Sequence, residues 1–550
     1  MTPLYARRRR TALAAATAVV AGALLTTGLA TGTATADSAP AGKPVLGGAP
    51  VPLSASARTS LIREQQATAS ETADAIGLGA KEKLIVKDVV KDVDGTVHTR
   101  YERTYDGLPV LGGDLVVHEP AGGARTVTKA VKTSVAVATV TPKVAAGKAE
   151  AQALAAAAKA GSERTDADSA PRKVIWAAEG TPVLAYETVV GGLQEDGTPN
   201  ELHVITDATT GEKLHEWQAV HTGTGKSLYS GTVTLGTYKS GSTYQLYDTS
   251  RGGHKTYNLA RGTSGTGTLF TDADDTWGTG TASSSSSDQT AAVDAAYGAQ
   301  ITWDFYKNTF GRNGIRNDGK AAYSRVHYGS SYVNAFWQDS CFCMTYGDGS
   351  GNTHPLTSLD VAGHEMSHGV TSVTAGLNYS GESGGLNEAT SDIFGTGAEF
   401  YAANSTDKGD YLIGEKININ GDGTPLRYMD KPSKDGASKD YWSSSLGSVD
   451  VHYSSGPANH FFFLLAEGSG AKTINGVSYN SPTYDGSTVT GIGRAKALQI
   501  WYKALTTYFT STTNYKAART GTLNAASALY GSGSTEYKAV DAAWKAINVS

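Results

Sequence analysis

His364-Glu365-Met366-Ser367-His368 sits past the middle of a 550-residue chain, preceded by Ser358-Leu359-Asp360-Val361-Ala362-Gly363. On a helix, residues four apart project from one face, so His364 and His368 can offer two imidazole nitrogens to one metal ion, with Glu365 beside the metal and not bound to it. A hydrolytic zinc site uses three protein ligands and keeps a position open for water, so the pair calls for a third ligand elsewhere. Glu388 supplies one, in Gly385-Leu386-Asn387-Glu388-Ala389-Thr390-Ser391-Asp392. In this reading His364, His368 and Glu388 hold zinc, while Glu365 takes the proton of the attacking water and passes it to the leaving amine.

The net charge of −5 and a pI of about 6.2 disfavour a polyanionic partner, so no nucleic acid is expected. Residues 1–36 read as an export signal, with Arg7 to Arg10 as the basic start, Leu13 to Leu29 as the apolar run and Ala34-Thr35-Ala36 as the cleavage site. The expected product is secreted and free of the membrane once the signal is removed; a membrane anchor is the competing reading of the same run. Four arginines suit either the general or the twin-arginine route. Cys341 and Cys343 are the only cysteines, so disulfides cannot be the scaffold. The pair either closes a small strained ring or stays as two thiols.

From 37 to 221, strand-like runs alternate with Ala- and Lys-rich helical ones in a mixed domain without a ligand cluster. Val110 to His118 and Glu201 to Asp207 read as strands, and Lys143 to Ala160 as an exposed helix. The segment Val220-His221-Thr222-Gly223-Thr224-Gly225 is small and polar, which suits a proteolytic boundary near Thr222. The region 222–374 opens β-rich over Ser227 to Thr271 and runs through a polar loop, Asp272 to Asp288. A long packed helix over Thr290 to Phe310 follows, then strand over Ala322 to Trp337, and the region closes on the metal helix, Leu359 to Val373. Region 375–550 is mainly helical, with helices expected over Asn387 to Ala403, Ala458 to Glu467, Gly493 to Thr507 and Glu536 to Ile547. This predicts a β-rich lobe and an α-rich lobe with the metal helix between them and a substrate cleft where they meet.

The paired histidines, taken with Gly385 to Asp392 and the following Ile393-Phe394-Gly395, resemble the thermolysin family of zinc endopeptidases. The resemblance runs from about Thr222 to Ser550. It implies an α+β fold: a two-lobed zincin with a β-rich N-terminal lobe and an α-helical C-terminal lobe, preceded by an α+β propeptide. Asn334-Ala335-Phe336-Trp337 resembles the family's edge strand, which implies that Asn334 and the Ala335 carbonyl hold an extended peptide. Tyr379, in Ala375-Gly376-Leu377-Asn378-Tyr379, and His452, in Asp450-Val451-His452-Tyr453, match the family's oxyanion donors, and Asp450 is placed to orient the His452 ring. Arg427, in Pro425-Leu426-Arg427-Tyr428-Met429, resembles an arginine that binds a substrate carbonyl. Asp392 and Asn387 are placed to accept from the free ring nitrogens of the zinc histidines.

The same resemblance assigns Leu356, Val361 and Leu426 to the pocket for the residue after the cut bond, which implies cleavage on the amino side of a bulky apolar residue. Asp360, Glu399, Asp410 and Glu415 match the family's calcium carboxylates, and Leu412 stands where the best-known members carry another acid, which favours one calcium ion over a pair. Tyr105 to Val110, followed by Gly113 to His118, resembles the family's propeptide more loosely. Its implied roles are to assist folding and to act as an intramolecular inhibitor until self-cleavage near Thr222. The implied whole is a secreted monomer acting on proteins and peptides, with Zn2+ and Ca2+, made as a zymogen. Two rivals are a binding protein that keeps the fold without catalysis and a hydrolase of small esters or amides. Intact Glu365 and the propeptide speak against the first, and the peptide-pairing strand against the second.

Overall fold

The computed structural model describes residues 51, 53–131, 134–194, 199–220 and 222–550, so the export signal expected at 1–36 lies outside the described residues. The chain divides into two compact units, one made by the described residues up to Ala219 and one spanning Val220–Ser550.

The first unit is a nine-stranded sheet with the helices Ala55–Ala67, Ala69–Ala75 and Ala146–Lys159. Strand Glu82–Lys91 buries Leu84 and Val86 and then Val89, because a register shift between Val86 and Asp88 moves the buried phase by one residue. The stretch Val110 to His118, expected as one strand, is two, Leu108–Leu111 and Leu115–Glu119. Gly112 breaks it: its φ is 73°, and a Cβ there would lie 2.5 Å from Ala178. The helix expected as exposed buries Ala149, Ala153 and Ala157, a stripe of four-residue spacing that packs on the sheet.

The second unit has one continuous apolar core. Its first half is β-rich, and five strands of its largest sheet run in the order Tyr247–Asp248, His254–Asn258, Tyr323–Val326, Cys343–Tyr346, Ala335–Gln338. The last of these is an edge strand, paired on one side only. Ala322 to Trp337, expected as one strand, is interrupted by a turn with left-handed His327, Gly329 and Ser331. Cys341 and Cys343 are disulfide-bonded at the tip of the hairpin that joins the edge strand to Cys343–Tyr346.

Helix Gln289–Phe310 starts where the Asp288 side chain accepts from the Thr290 N–H, and ends at Gly311 in the left-handed region. It is buried on most faces and packs on helix Leu359–Ser372, which in turn packs on helix Gly381–Ala402. Small residues make this stack close. A Cβ on Gly298 would lie 2.4 Å from the Ala362 Cβ, and one on Gly395 would lie 2.5 Å from the Asp360 carbonyl oxygen. The second half continues with helices Gly456–Glu467, Arg494–Thr507, Tyr515–Tyr530 and Thr535–Ala546, held by stacking of Phe461 on Trp544 at 3.9 Å between ring centroids. The largest differences from expectation are that Gly381–Ala402 begins six residues before Asn387 and that Tyr515–Tyr530 has no counterpart in the sequence reading. The buried face of Tyr515–Tyr530 is Tyr515, Ala518, Gly521, Thr522, Leu523, Ala525 and Ala526, mostly small residues that do not stand out as a core face in the sequence. No helix among the described residues is long and apolar enough to cross a membrane.

Candidate metal centre

Helix Leu359–Ser372 is buried along most of its length, which places His364 and Glu365 in the interior at 2% and 0% exposure. Its fourfold spacing brings the Nε2 atoms of His364 and His368 to 3.0 Å. Glu388, on the adjacent helix and fully buried, approaches from the other side: Oε2 lies 3.5 Å from His364 Nε2 and Oε1 3.5 Å from His368 Nε2. A tetrahedral ion with bonds of about 2.0–2.1 Å separates its ligand atoms by about 3.3–3.4 Å, so these three side chains fit zinc. Glu388 Oε2 has no hydrogen-bond partner, as a buried oxygen reserved for a cation should not.

The other ring nitrogens settle the tautomers. His364 Nδ1–H donates to Asp392 Oδ1 at 2.8 Å, and His368 Nδ1–H donates to Asn387 Oδ1 at 2.8 Å, so the Nε2 atom of each ring is the one turned toward the centre. The Asn387 amide is itself fixed by Nδ2 donating to the Leu377 carbonyl at 2.9 Å. Asp392 also accepts from Arg427 Nε and Nη2, at 2.8 and 2.6 Å, and from Asn459 Nδ2 at 2.7 Å. Burial alone would raise the Asp392 carboxyl, but the Arg427 guanidinium and the His364 N–H hold it well below the usual carboxylate range.

Burial lowers His368 to about 4, with the His364 charge adding to it, so the ring is a neutral donor of electrons near neutral pH. Burial opposes ionisation of Glu388 too, but the charges of His452, His364 and His368 draw it down to about 2. Glu365 shifts the opposite way. Burial pushes it up to about 7, with the Glu388 charge adding to it, and both of its carboxylate oxygens lack a hydrogen-bond partner. That is the profile of a group kept ready to take and release a proton near neutral pH.

Tyr379 and His452 come from different segments and meet at Glu388. The Tyr379 hydroxyl donates to Glu388 Oε1 and lies 3.2 Å from His452 Nε2, while His452 Nδ1 is 2.8 Å from Asp450 Oδ1. Burial and the Glu388 charge raise the Tyr379 phenol far above its ordinary value, so it remains a donor. A cavity of about 1050 Å3 is lined by Glu365, His368 and Tyr379 together with the edge strand, including Asn334 and Ala335. Leu356, Val361 and Leu426 do not line it; the first two are sealed in the core and Leu426 is partly buried.

The thermolysin of Alicyclobacillus acidocaldarius is 36% identical over 461 residues, which cover 78% of this chain and 79% of that one. Residues 222–372 match the family model for the thermolysin metallopeptidase catalytic domain, and residues 375–549 that for its alpha-helical domain. The chain belongs to the thermolysin family of zinc metalloendopeptidases. The fungalysin/thermolysin propeptide motif matches residues 82–131, within the first unit. A transglutaminase-activating metalloprotease of Streptomyces mobaraensis is 69% identical over 465 residues, which cover 84% of this chain; the chain spans 60% of that relative's length. Among solved structures, the precursor of protealysin from Serratia proteamaculans aligns at 29% identity over 54% of this chain and 87% of that one, with a TM-score of 0.41.

This thermolysin-family chain carries a second group of acids. Glu399, Asp407 and Glu415 bring carboxylate oxygens within 4.8 Å of one another. Glu399 Oε1 and both oxygens of Asp407 and of Glu415 are buried without a hydrogen-bond partner, although Lys416 Nζ lies 3.4 Å from Asp407 Oδ1. Asp360 and Asp410 interact electrostatically with the group but have their own donors. Asp360 accepts from Ser358 Oγ and the Gly414 N–H, each at 2.5 Å, and Asp410 Oδ1 from the Leu412 N–H at 2.7 Å. Asp407 is absent from the sequence reading. Three acids at 407, 410 and 415 after a buried helix were the available signal.

Proposed function

We propose that this protein is a secreted endopeptidase that cuts on the amino side of a bulky apolar residue, and that its first unit keeps it latent until cleavage near Thr222. The observation that carries the reading is the convergence of His364, His368 and Glu388 beside Glu365, whose two buried oxygens lack any partner. Bound zinc supplies Lewis acidity, making a water more acidic and polarising the scissile carbonyl. Glu365 takes the proton from the attacking water at a carboxylate oxygen and delivers it to the leaving nitrogen. The Tyr379 hydroxyl and the His452 ring, steadied by Asp450, donate to the oxyanion as it forms. Asn334 and the Ala335 carbonyl hold the peptide on the open edge strand, Arg427 orients a substrate carbonyl, and Leu426, backed by Leu356 and Val361 in the core, shapes the pocket for the apolar residue.

The partnerless oxygens of Glu399, Asp407 and Glu415 support a calcium ion there, with Asp360 and Asp410 adding negative charge around it. The export signal expected at 1–36 supports secretion. The likeness to the transglutaminase-activating metalloprotease of Streptomyces mobaraensis supports activation of a transglutaminase as one role.

Cleavage of an internally quenched peptide with Leu after the scissile bond tests the reading, run with and without a zinc-selective chelator and beside Glu365→Gln. Activity that is lost on chelation, restored by zinc and missing in the variant is the expected result. Processed wild type that binds zinc and leaves the peptide intact would favour the binding-protein reading instead.

A further inference from the structure

Arg325 is a buried cation whose charge no carboxylate balances. Its residue is 6% exposed, and among the described residues no acidic oxygen lies within ion-pair distance of it. Every one of its contacts is with a neutral group: Nε and Nη2 donate to Thr345 Oγ1 at 3.0 and 2.7 Å, and Nη1 donates to the Gly265 carbonyl at 2.7 Å. Nη2 also makes two loose contacts, 3.4 Å to Gln338 Oε1 and 3.8 Å to Cys341 Sγ. An unbalanced guanidinium is costly to bury, and an incoming anion relieves that cost.

The sheet places this charge beside the peptide track. Arg325 is opposite Thr345, which is opposite Phe336 on the edge strand, so the three side chains share one face. Trp337 points the other way: a Cβ on Gly369 of the metal helix would lie 2.7 Å from its ring. A peptide pairing with the edge strand continues the pleat, so alternate side chains rise over the face that carries Phe336, Gln338 and Arg325. Arg325 and Gln338 line the same cavity as Glu365 and His368. Asp339 also lines it, engaged by Trp337 Nε1–H at 2.7 Å.

We infer that Arg325 makes this a peptidase with a preference for an acidic side chain, glutamate above all, on the amino side of the cut bond. The inference rests on the endopeptidase reading. It assigns the amino side because Leu426, the partly buried residue of the pocket proposed for the residue after the cut, lies outside this cavity. Glutamate is favoured over aspartate because the guanidinium lies two strands in from the edge. The carboxylate displaces the 3.4 Å contact to Gln338, the weakest oxygen contact the arginine makes, and exchanges a neutral acceptor for a charged one.

The test is a set of quenched peptides with Leu after the scissile bond and alanine before it, carrying one Glu, Gln or Lys at each of the three preceding positions. Wild type is compared with Arg325→Gln and with Gln338→Glu, which sets a carboxylate of the protein's own beside the guanidinium. At one position the wild type should show a Glu-to-Gln ratio in kcat/KM on the order of tenfold at low salt, with Lys below Gln, and the ratio should shrink as salt rises. In both variants the ratio should fall to near one. Because the ratio is read within each variant, a general loss of rate cancels, and Gln338→Glu carries the test if Arg325→Gln does not fold. A wild type that cleaves the alanine peptide but shows no Glu preference, or a preference that survives in both variants, overturns the inference alone. A wild type that cleaves none of the set overturns the endopeptidase reading with it.

Discussion

Asp392 holds three buried donors at once, His364 Nδ1–H, Arg427 and Asn459, and touches no part of the open centre itself. Removing it strands a buried guanidinium and releases the ring of His364, the proposed zinc ligand that it orients. Asp392→Ala is therefore expected to lose roughly 3–5 kcal/mol of stability in denaturant titration. Its zinc affinity should fall about 10- to 100-fold, read by competition with a metal-sensitive dye. At this scale the sequence was legible where the chemistry demands fixed residue types at a fixed helical spacing, as at His364, Glu365 and His368. Tyr379 and His452 are 73 residues apart, and nothing in the residues alone says that they meet; a family likeness put them on one list, and the fold brings them to 3.2 Å. Asp407 stayed hidden because a carboxylate in a polar loop reads as solvated until burial is known. Arg325 stayed hidden for the complementary reason, since its meaning lies in having no acid within ion-pair distance among the described residues.

Helices carry the metal ligands, and glycines set how closely those helices approach. A methyl group on Gly395 would meet the Asp360 carbonyl oxygen at 2.5 Å and the His364 nitrogen at 3.1 Å, both of them backbone of the facing helix. Backbone cannot rotate away as a side chain can, so Gly395→Ala must part the two helices that present His364 and Glu388. The expected outcome is a loss of about 1–3 kcal/mol in thermal or chemical unfolding, with zinc content of the purified protein reduced in the same variant. Such contacts leave little trace in a single sequence, because glycine inside a helical run weakens the pattern that identifies the helix. The start of Gly381–Ala402 was missed in that way, its first five residues including Gly381, Gly384 and Gly385. The long amphipathic helices and the α+β class were legible, since apolar period survives where core residues are large.

Over the whole second unit, the acid cluster links stability to pH and to calcium. Burial raises Asp407 to about 6 and Asp410 to about 7, and burial with mutual repulsion holds Glu399 and Glu415 well above the ordinary range. Folded-state values above the unfolded ones mean that the folded, calcium-free protein keeps protons the unfolded chain has lost. Its stability is then greatest below about pH 4 as far as these groups are concerned, and falls as pH rises through 6 to 7. Calcium should cancel that loss, so the rise in melting temperature on adding calcium is expected to be larger at pH 7.5 than at pH 5 in scanning calorimetry of the Glu365→Gln variant. An endopeptidase whose fold relies on the calcium ion proposed here would have a lifetime set by its surroundings. Strip the calcium and locally opened molecules become food for intact ones. Activity should then decay with a half-life that shortens in proportion to protein concentration, a bimolecular law, whereas simple unfolding would give a half-life indifferent to dilution.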